Sequence, residues 1–376
     1  MKVLVTGGAG FIGTHLVRRL LKEDCTVAVL DNFSSQVHGG ASQLSPDLAP
    51  NVELYRADVT DLDAVSRALA NCDVVVHLAA ETGTGQSMYE VLRYQSVNLG
   101  GTASIVHSLV NTRNCRVCKV VVASSRAIYG EGSYRCAEHG IVYPTQRSVA
   151  QLRAGQYEPE CPQCGLPCSA EPTSEDCPVR PLSFYGLTKH VQEEMILMFA
   201  RARGFAAFGL RYQNVYGPGQ SLRNPYTGIL AIFSSLARAN SCIQIFEDGQ
   251  ESRDFVFVED AVDATWRCIA AEGSLVDNYN VGSGERTSVL QVANEIAHYF
   301  GSDSKVSVTG AFRQGDIRHN FADLSKIGSA LRFSPRYKFQ DGLKLFLDWA
   351  ASQDYSPAGY EASLQEMRDR GFFNGR

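Results

Sequence analysis

Residues 3–13 read Val-Leu-Val-Thr-Gly-Gly-Ala-Gly-Phe-Ile-Gly, and the fold follows from how this stretch is read. Residues 3–6 are a short apolar run that stops at Gly7-Gly8, and a helical pattern follows from about Phe11 to Lys22. Gly7, Gly10 and Gly13 fall in the spacing G-x-x-G-x-x-G across the turn. Glycines there permit a tight turn and let backbone N–H groups and the helix N-terminus approach a pyrophosphate. A glycine trio alone is weak evidence. Here it follows a strand and opens a helix, and the next strand, 26–30, ends at Asp31. A carboxylate at that place accepts hydrogen bonds from both ribose hydroxyls of NAD and repels the extra phosphate of NADP, so the expected cofactor is NAD.

Outward from this turn, apolar runs recur at 52–56, 73–78 and 119–124, each followed by a helical or loop segment. Strands alternating with helices at this spacing predict an α/β fold, a Rossmann-type doubly wound parallel sheet covered on both faces. Helices are expected over 89–110 and 185–203, and a strand over 206–211. Asp58 ends the third strand, where it either meets an adenine amino group or helps cap a helix with Thr60 and Asp61. The NAD-binding domain is accordingly read as 1–213. Short strands and helices after about 214 predict a smaller C-terminal lobe, 214–350, and the polar stretch 351–376 a peripheral tail. Between Gly130 and Pro181 periodicity fails, which marks an insertion, about 131–181, with its own means of ordering.

Composition narrows the function classes. The chain has 376 residues, 44% of them hydrophobic and 20% charged, and a formal net charge of -5 without a basic block. These values suit a globular enzyme and argue against a nucleic-acid partner. No run approaches the roughly 18 apolar residues of a membrane span, and the N-terminus lacks a signal-peptide layout, so a cytoplasmic protein is expected. Of eleven cysteines, Cys25, Cys72, Cys242 and Cys268 read as small buried hydrophobes. The rest cluster between 115 and 177, which argues against a disulfide framework spread through the fold.

Tyr185-Gly-Leu-Thr-Lys189 places a phenol and an ammonium on one helix face. A lysine and a positive nicotinamide ring would both favour the phenolate, so Tyr185 is the candidate acid/base for moving a hydroxyl proton. Ser125 ends the strand 119–124, at the carboxyl edge of the sheet, within reach of the same substrate oxygen.

Thr6-to-Gly13, Asp31-Asn32, His77-to-Ala80, Ser124-to-Gly130, Tyr185-to-Lys189, Arg211-to-Gly219, Arg253-to-Val256, Asn280-to-Gly284 and Gly315-to-Arg318 together resemble the extended short-chain dehydrogenase/reductase family of nucleotide-sugar enzymes, along residues 1–350. The resemblance implies catalytic Ser125, Tyr185 and Lys189. It implies an NAD site that includes Phe11, Ile12, Asn32, Asp58, Val59, Leu78, Ala79, Ala80 and Asn98. For a nucleoside-diphosphate sugar it implies contacts from Thr84, Ser87, Ser125, Arg126, Asn214, Arg253 and Arg318, with guanidinium groups suited to phosphate. It also implies a homodimer paired through the helices at 89–110 and 185–203. Dehydratases of the family carry an Asp-Glu pair after the Ser/Thr, and decarboxylases keep a glutamate there. This chain has Arg126 and Ala127, so a 4-epimerase is expected, and its wording at 86–90 and 134–136 resembles the dTDP-L-rhamnose 4-epimerases. Other nucleotide-sugar epimerases of the UDP-hexose type, a dehydratase, a ketosugar reductase and a non-catalytic NAD sensor remain as alternatives.

The insertion carries Cys136-x-x-His139 and Cys161-x-x-Cys164, each pair followed by glycine. Two knuckle-like turns of this kind predict a closed, structural zinc site. Cys168 is a fifth candidate that could replace His139, while Cys115 and Cys118 read as structural.

Overall fold

Seven strands, β1 (Lys2–Thr6), β2 (Thr26–Asp31), β3 (Val52–Arg56), β4 (Val74–His77), β5 (Lys119–Ser125), β6 (Ala206–Tyr212) and β7 (Val276–Val281), form one parallel sheet in the computed structural model, in the order 3-2-1-4-5-6-7. The structure describes residues 1–40, 42–224, 226, 228–355 and 358–374. Strands β5 and β6 are buried along their whole length, as continuous apolar strands in a twice-covered sheet should be. Alternate side chains feed opposite faces. Val3, Val5, Val27 and Val29 pack with Leu16 and Leu20 of the helix Phe11–Lys22 on one side. Leu4, Ala28, Leu30 and Val75 pack with Ile105 and Ile196 on the other.

Strand order reverses between β1 and β4, so a crevice opens at their carboxyl ends. A buried polar chain ties the two strands there. Thr6 Oγ1 and His77 Nδ1 are 2.8 Å apart, and His77 Nε2 lies 3.0 Å from Thr102 Oγ1. Burial, reinforced by the Lys189 charge, pushes the imidazole down to about 3, so it is neutral and bridges as donor and acceptor.

Three expectations about the arrangement of elements change. The helix read over 89–110 consists of Val91–Tyr94 and Gly101–Asn111 joined by a π-helical segment, Gln95–Gly100. The boundary at 213 does not divide the sheet, because β7 and the helix Val258–Ala270 return from beyond it to pair with β6 and to pack on the helix Phe11–Lys22. Local periodicity shows that a strand exists but not which sheet it joins. The tail is not peripheral. Its helix Ala358–Asp369 buries Leu364 and Met367 with Phe246, Ala311 and Phe373, and Phe373 pairs with Arg313.

The smaller lobe consists of short pairs, among them Asn214–Tyr216 with Phe255–Phe257, and Ser252–Arg253 between Thr287–Ser288 and His319–Asn320. Asp254 knots it together, accepting bonds from Ser283 N, Ser283 Oγ, Gly284 N and Ala322 N. The insertion is ordered as three short antiparallel strands, with Tyr134–Cys136 between Gly140–Val142 and Ser169–Ala170. Cys25, Cys72 and Cys268 are buried, but Cys242 is exposed. Among the described residues no helix is long and apolar enough to cross a membrane.

Candidate active site

A cavity of about 1340 Å³ occupies the crevice and extends beneath the smaller lobe. Gly7, Gly10, Phe11, Ile12 and Gly13 line one end. A Cβ on Gly7, whose φ is +70°, would meet Ala79 N at 2.8 Å, and one on Gly13 would meet Gly7 O at 2.3 Å. Backbone therefore packs on backbone here, and side chains are excluded. The helix starts at Gly10 without a side-chain cap, which leaves its first amides for an anion. That uncapped end fits the pyrophosphate of a dinucleotide such as NAD.

Asp31 and Asn32 also line the cavity. The Asp31 carboxylate accepts from Ala9 N at 3.0 Å and Phe33 N at 2.9 Å, and His38 Nε2 lies 3.3 Å away. This fixes it at the end of β2. His38, another lining residue, carried no signal in the sequence. Val59, Leu78, Ala79 and Ala80 line the wall as well.

Asp58 and Asn98 do not reach the cavity. Asp58 accepts from Thr60 N, Thr60 Oγ1 and Asn32 Nδ2, while Asp61 is the residue that caps the helix Leu62–Leu69. Asn98 sits in the π-helical segment one layer behind the wall. Its Oδ1 accepts from Glu81 N at 2.8 Å and its Nδ2 donates to Thr188 Oγ1 at 2.9 Å. It thereby ties the wall loop to the helix Phe184–Arg203.

Ser125, Tyr185 and Lys189 all line the cavity. Ser183 caps the helix Phe184–Arg203 by accepting from Gly186 N. A Cβ on Gly186 would lie 2.5 Å from Ala127 O, so glycine lets the first turn, with Tyr185, press against the end of β5. Ser125 Oγ accepts from Ala127 N at 3.1 Å, and its side chain hydrogen-bonds the Tyr185 phenol. Burial raises the Tyr185 pKa, while the Ser125 bond and the Arg126 charge lower it. The Arg126 charge is thus a cation acting on the phenol to which the helix spacing did not point. Burial brings Lys189 down to about 7, with Glu193 opposing. Ser87 is wholly buried behind this group, accepting from Tyr185 N and donating to Thr84 O, and Thr84 lines the cavity.

Arg126, Asn214 and Arg253 line the far end. Arg126 Nε donates to Asn214 Oδ1 at 3.0 Å, and its Nη1 is buried without a hydrogen-bond partner. Burial and the neighbouring Arg253 push Arg126 down to about 9, which still leaves a cation at neutral pH. Arg253 Nη1 donates to the carbonyls of Ser252 and Arg318. Arg318 itself does not line the cavity. It is 1% exposed, and Glu158, Asp248 and Glu247 bind its guanidinium. The expected phosphate contact is thus absent from the wall, because those acids, remote in sequence, hold the side chain inward. Arg313 lines the cavity instead, bonded to Asp316 at 2.9 Å. Glu251 also lines it, with Oε2 lacking a hydrogen-bond partner and burial raising its carboxyl to about 7. Tyr360, Ser363 and Met367 of the tail complete that end.

A model of the NAD dependent epimerase/dehydratase family matches residues 3–148 and 161–282, leaving out 149–160 of the insertion. The chain is 41% identical over 355 residues to a dTDP-L-rhamnose 4-epimerase of Burkholderia thailandensis, covering 94% of this chain and 95% of that protein. It is 32% identical to a UDP-glucose 4-epimerase of Mycolicibacterium smegmatis, over 91% of this chain and 96% of the relative. Among solved structures, it superposes on UDP-glucose 4-epimerase of Thermotoga maritima with UDP-glucose at a TM-score of 0.75 and 28% identity, covering 93% of this chain and 98% of the other. The Thermus thermophilus UDP-glucose 4-epimerase complex with NAD gives a TM-score of 0.73 at 27% identity, covering 94% of this chain and 100% of the other.

Proposed function

Because the chain belongs to the NAD-dependent epimerase/dehydratase family, we propose that it is a 4-epimerase of nucleoside-diphosphate sugars that interconverts dTDP-L-rhamnose and dTDP-6-deoxy-L-talose. One observation carries the reading. Ser125, Tyr185 and Lys189 share a cavity with the glycine turn and Asp31, and the two positions after Ser125 are Arg126 and Ala127, neither of which is a carboxylate. The thymidine nucleotide and the 6-deoxy sugar rest on the relative at 41% identity along nearly the whole chain.

The glycine turn and helix N-terminus would hold the pyrophosphate of NAD, and Asp31 a ribose. When bound, NAD supplies the hydride acceptor and donor for C4 of the sugar. Tyr185 takes the C4 hydroxyl proton and returns it after the sugar has presented its other face, and Ser125 holds the same oxygen. Arg126 keeps positive charge beside the phenol and favours its ionised form. Asn214 and Arg253 hold the diphosphate at the far end. The two residues that follow Ser125, Arg126 and Ala127, supply no carboxylate pair for elimination of water. The chain works as a homodimer, and Leu92, Leu187 and Met198, exposed by 80%, 43% and 54% on the two relevant helices, supply apolar contact for the pairing. A cytoplasmic setting suits eleven cysteines that are all thiols.

Incubation with dTDP-L-rhamnose, followed by NMR, should show the second C4 epimer without net change at the NADH absorbance band. Denaturation should release NAD identifiable by mass. Conversion of UDP-glucose alone would move the nucleotide assignment. A 4-keto-6-deoxy product from dTDP-glucose would replace epimerisation by dehydration.

A further inference from the structure

Four metal-ligating side chains lie together outside the cavity. The ligand atoms of Cys136, His139, Cys161 and Cys164 are all within 4.8 Å of one another. Cys136 Sγ is 3.6 Å from both His139 Nδ1 and Cys164 Sγ, and Cys161 Sγ is 3.6 Å from His139 Nδ1. A tetrahedral Zn²⁺ with Zn–S of about 2.3 Å and Zn–N of about 2.05 Å has S···S edges near ~3.8 Å and S···N edges near ~3.6 Å. These three 3.6 Å separations match those edges, and the sulfurs are far from the roughly 2.05 Å of a disulfide.

The backbone around the sulfurs is arranged as for thiolate ligands. The Gln163 N–H donates to Cys161 Sγ at 3.5 Å. Gly140 at φ +67° and Gly165 at φ +73° follow the two turns, with nothing within 4 Å of a would-be Cβ. Left-handed backbone, not space, therefore requires glycine at both places. Cys168 is not one of the four, its Sγ lying 3.6 Å from Leu166 O.

The insertion has little else to order it. Its own buried cluster is Tyr134, Cys136, Val142, Cys161 and Cys168, which without the cysteines is reduced to Tyr134 and Val142, while Leu152 and Cys177 are buried apart from it. So small a core does not offset the chain entropy of a segment this long. Yet residues adjoining the ligands reach toward the cavity. The Tyr134 hydroxyl, two residues before Cys136, accepts from His319 N. Glu158, three before Cys161, bonds Arg318 at 2.6 Å and contacts His319 Nε2 at 3.1 Å. Arg147 bridges Glu131, Glu247 and the carbonyl of Asp316. Glu247 and Asp316 are lining residues.

We propose that Cys136, His139, Cys161 and Cys164 bind one structural Zn²⁺, and that this ion holds the insertion as a clamp on the loop 313–319 at the far end of the cavity. The set has four protein ligands and no open position, so the ion orders the chain and takes no part in catalysis. Binding displaces the thiol protons and couples metal affinity to folding of the insertion.

Elemental analysis of untagged protein should find one zinc per chain, absent from the Cys161→Ser/Cys164→Ser double variant. Zinc-free wild type with an ordered insertion, or zinc retained by the variant, overturns the site. Where the variant fails to fold, wild type produced with cobalt supplies the test. Intense visible d–d bands with thiolate charge transfer support a tetrahedral site, and a weak octahedral spectrum overturns it. Deuterium exchange tests the clamp. Chelation should raise exchange at 131–170 and 313–319 and leave β1 to β5 protected, whereas unchanged exchange at 313–319 overturns the coupling. Neither readout depends on epimerase activity, so failure of the proposed reaction leaves both tests standing.

Discussion

The two ends of the cavity are held by different forces. At the glycine-turn end, backbone meets backbone: Gly7 against Ala79, Gly13 against Gly7, and behind them β1 and β2 with apolar side chains on both faces. At the far end charges do the holding. Arg147, Arg318, Glu131, Glu158 and Glu247 form one network, with Arg147 and Arg318 almost wholly buried, and its outer anchors lie in the insertion. The first end is set largely by steric fit, so it is intolerant of added atoms. The second depends on every partner staying in place, because removing one member of a buried ion pair leaves the other uncompensated.

The comparison is sharpened first where the ends meet. Tyr185→Phe should lower turnover by at least about a hundredfold, since only the proton carrier is removed. Bound NAD and the melting temperature should stay at wild-type values. A variant that keeps a tenth of the rate takes the acid/base role away from Tyr185.

Asp31→Ala touches only the glycine-turn end. It removes an acceptor of charge-assisted bonds, so NAD affinity should fall by about tenfold or more, with a narrower preference over NADP. Affinity for dTDP should not change. If it drops equally, the two ends are not independent. A wild type that binds NADP as tightly as NAD would also refute the reading of Asp31.

Arg126→Ala touches the far end and gives the smallest change in rate at high pH. Its sign follows from the forces on the phenol. The Arg126 cation lowers the Tyr185 pKa, so its removal raises that value. The phenolate then forms only at higher pH, and the acidic limb of the kcat/KM profile should move upward. An unmoved limb would show that another cation sets the phenol.

Lys189 adds a stability signature to the same region. Its pKa is about 7 in the folded chain, against 10.5 ordinarily. Between those values the unfolded chain binds more protons, so stability rises with pH there, and the burial cost is complete below about 7. Lys189→Met should therefore raise the melting temperature more at pH 6 than at pH 9. An equal shift at both pH values would assign the effect to packing.

Much of this was legible from local pattern. The strand–glycine–helix unit, Asp31 at the end of β2, the Tyr185–Lys189 spacing and the two Cys/His turns are each encoded within a few residues, where backbone sterics and helix geometry act directly. The resemblance to nucleotide-sugar enzymes pointed to Arg253 and Arg318 alike, and of the two only Arg253 lines the cavity. Arg318 turns inward because Glu158 and Asp248 lie 160 and 70 residues away in sequence but beside it in space. The tail read as peripheral because its charges mask the spacing of Leu364 and Met367, which matters only once Phe246 and Ala311 are there to receive them.

The sequence alone determined the secondary structure around the glycine turn, the spacing of Tyr185 and Lys189 on one helix and the two Cys/His turns of the insertion. Tertiary structure decided that β7 joins the sheet beside β6, that the Arg126 charge also acts on the Tyr185 phenol, and that the insertion reaches the cavity through Glu158 and Arg147. The physical reason is range. Turn geometry and helix registry act over about four residues. Charge and burial act through space, between groups that only the folded chain brings together.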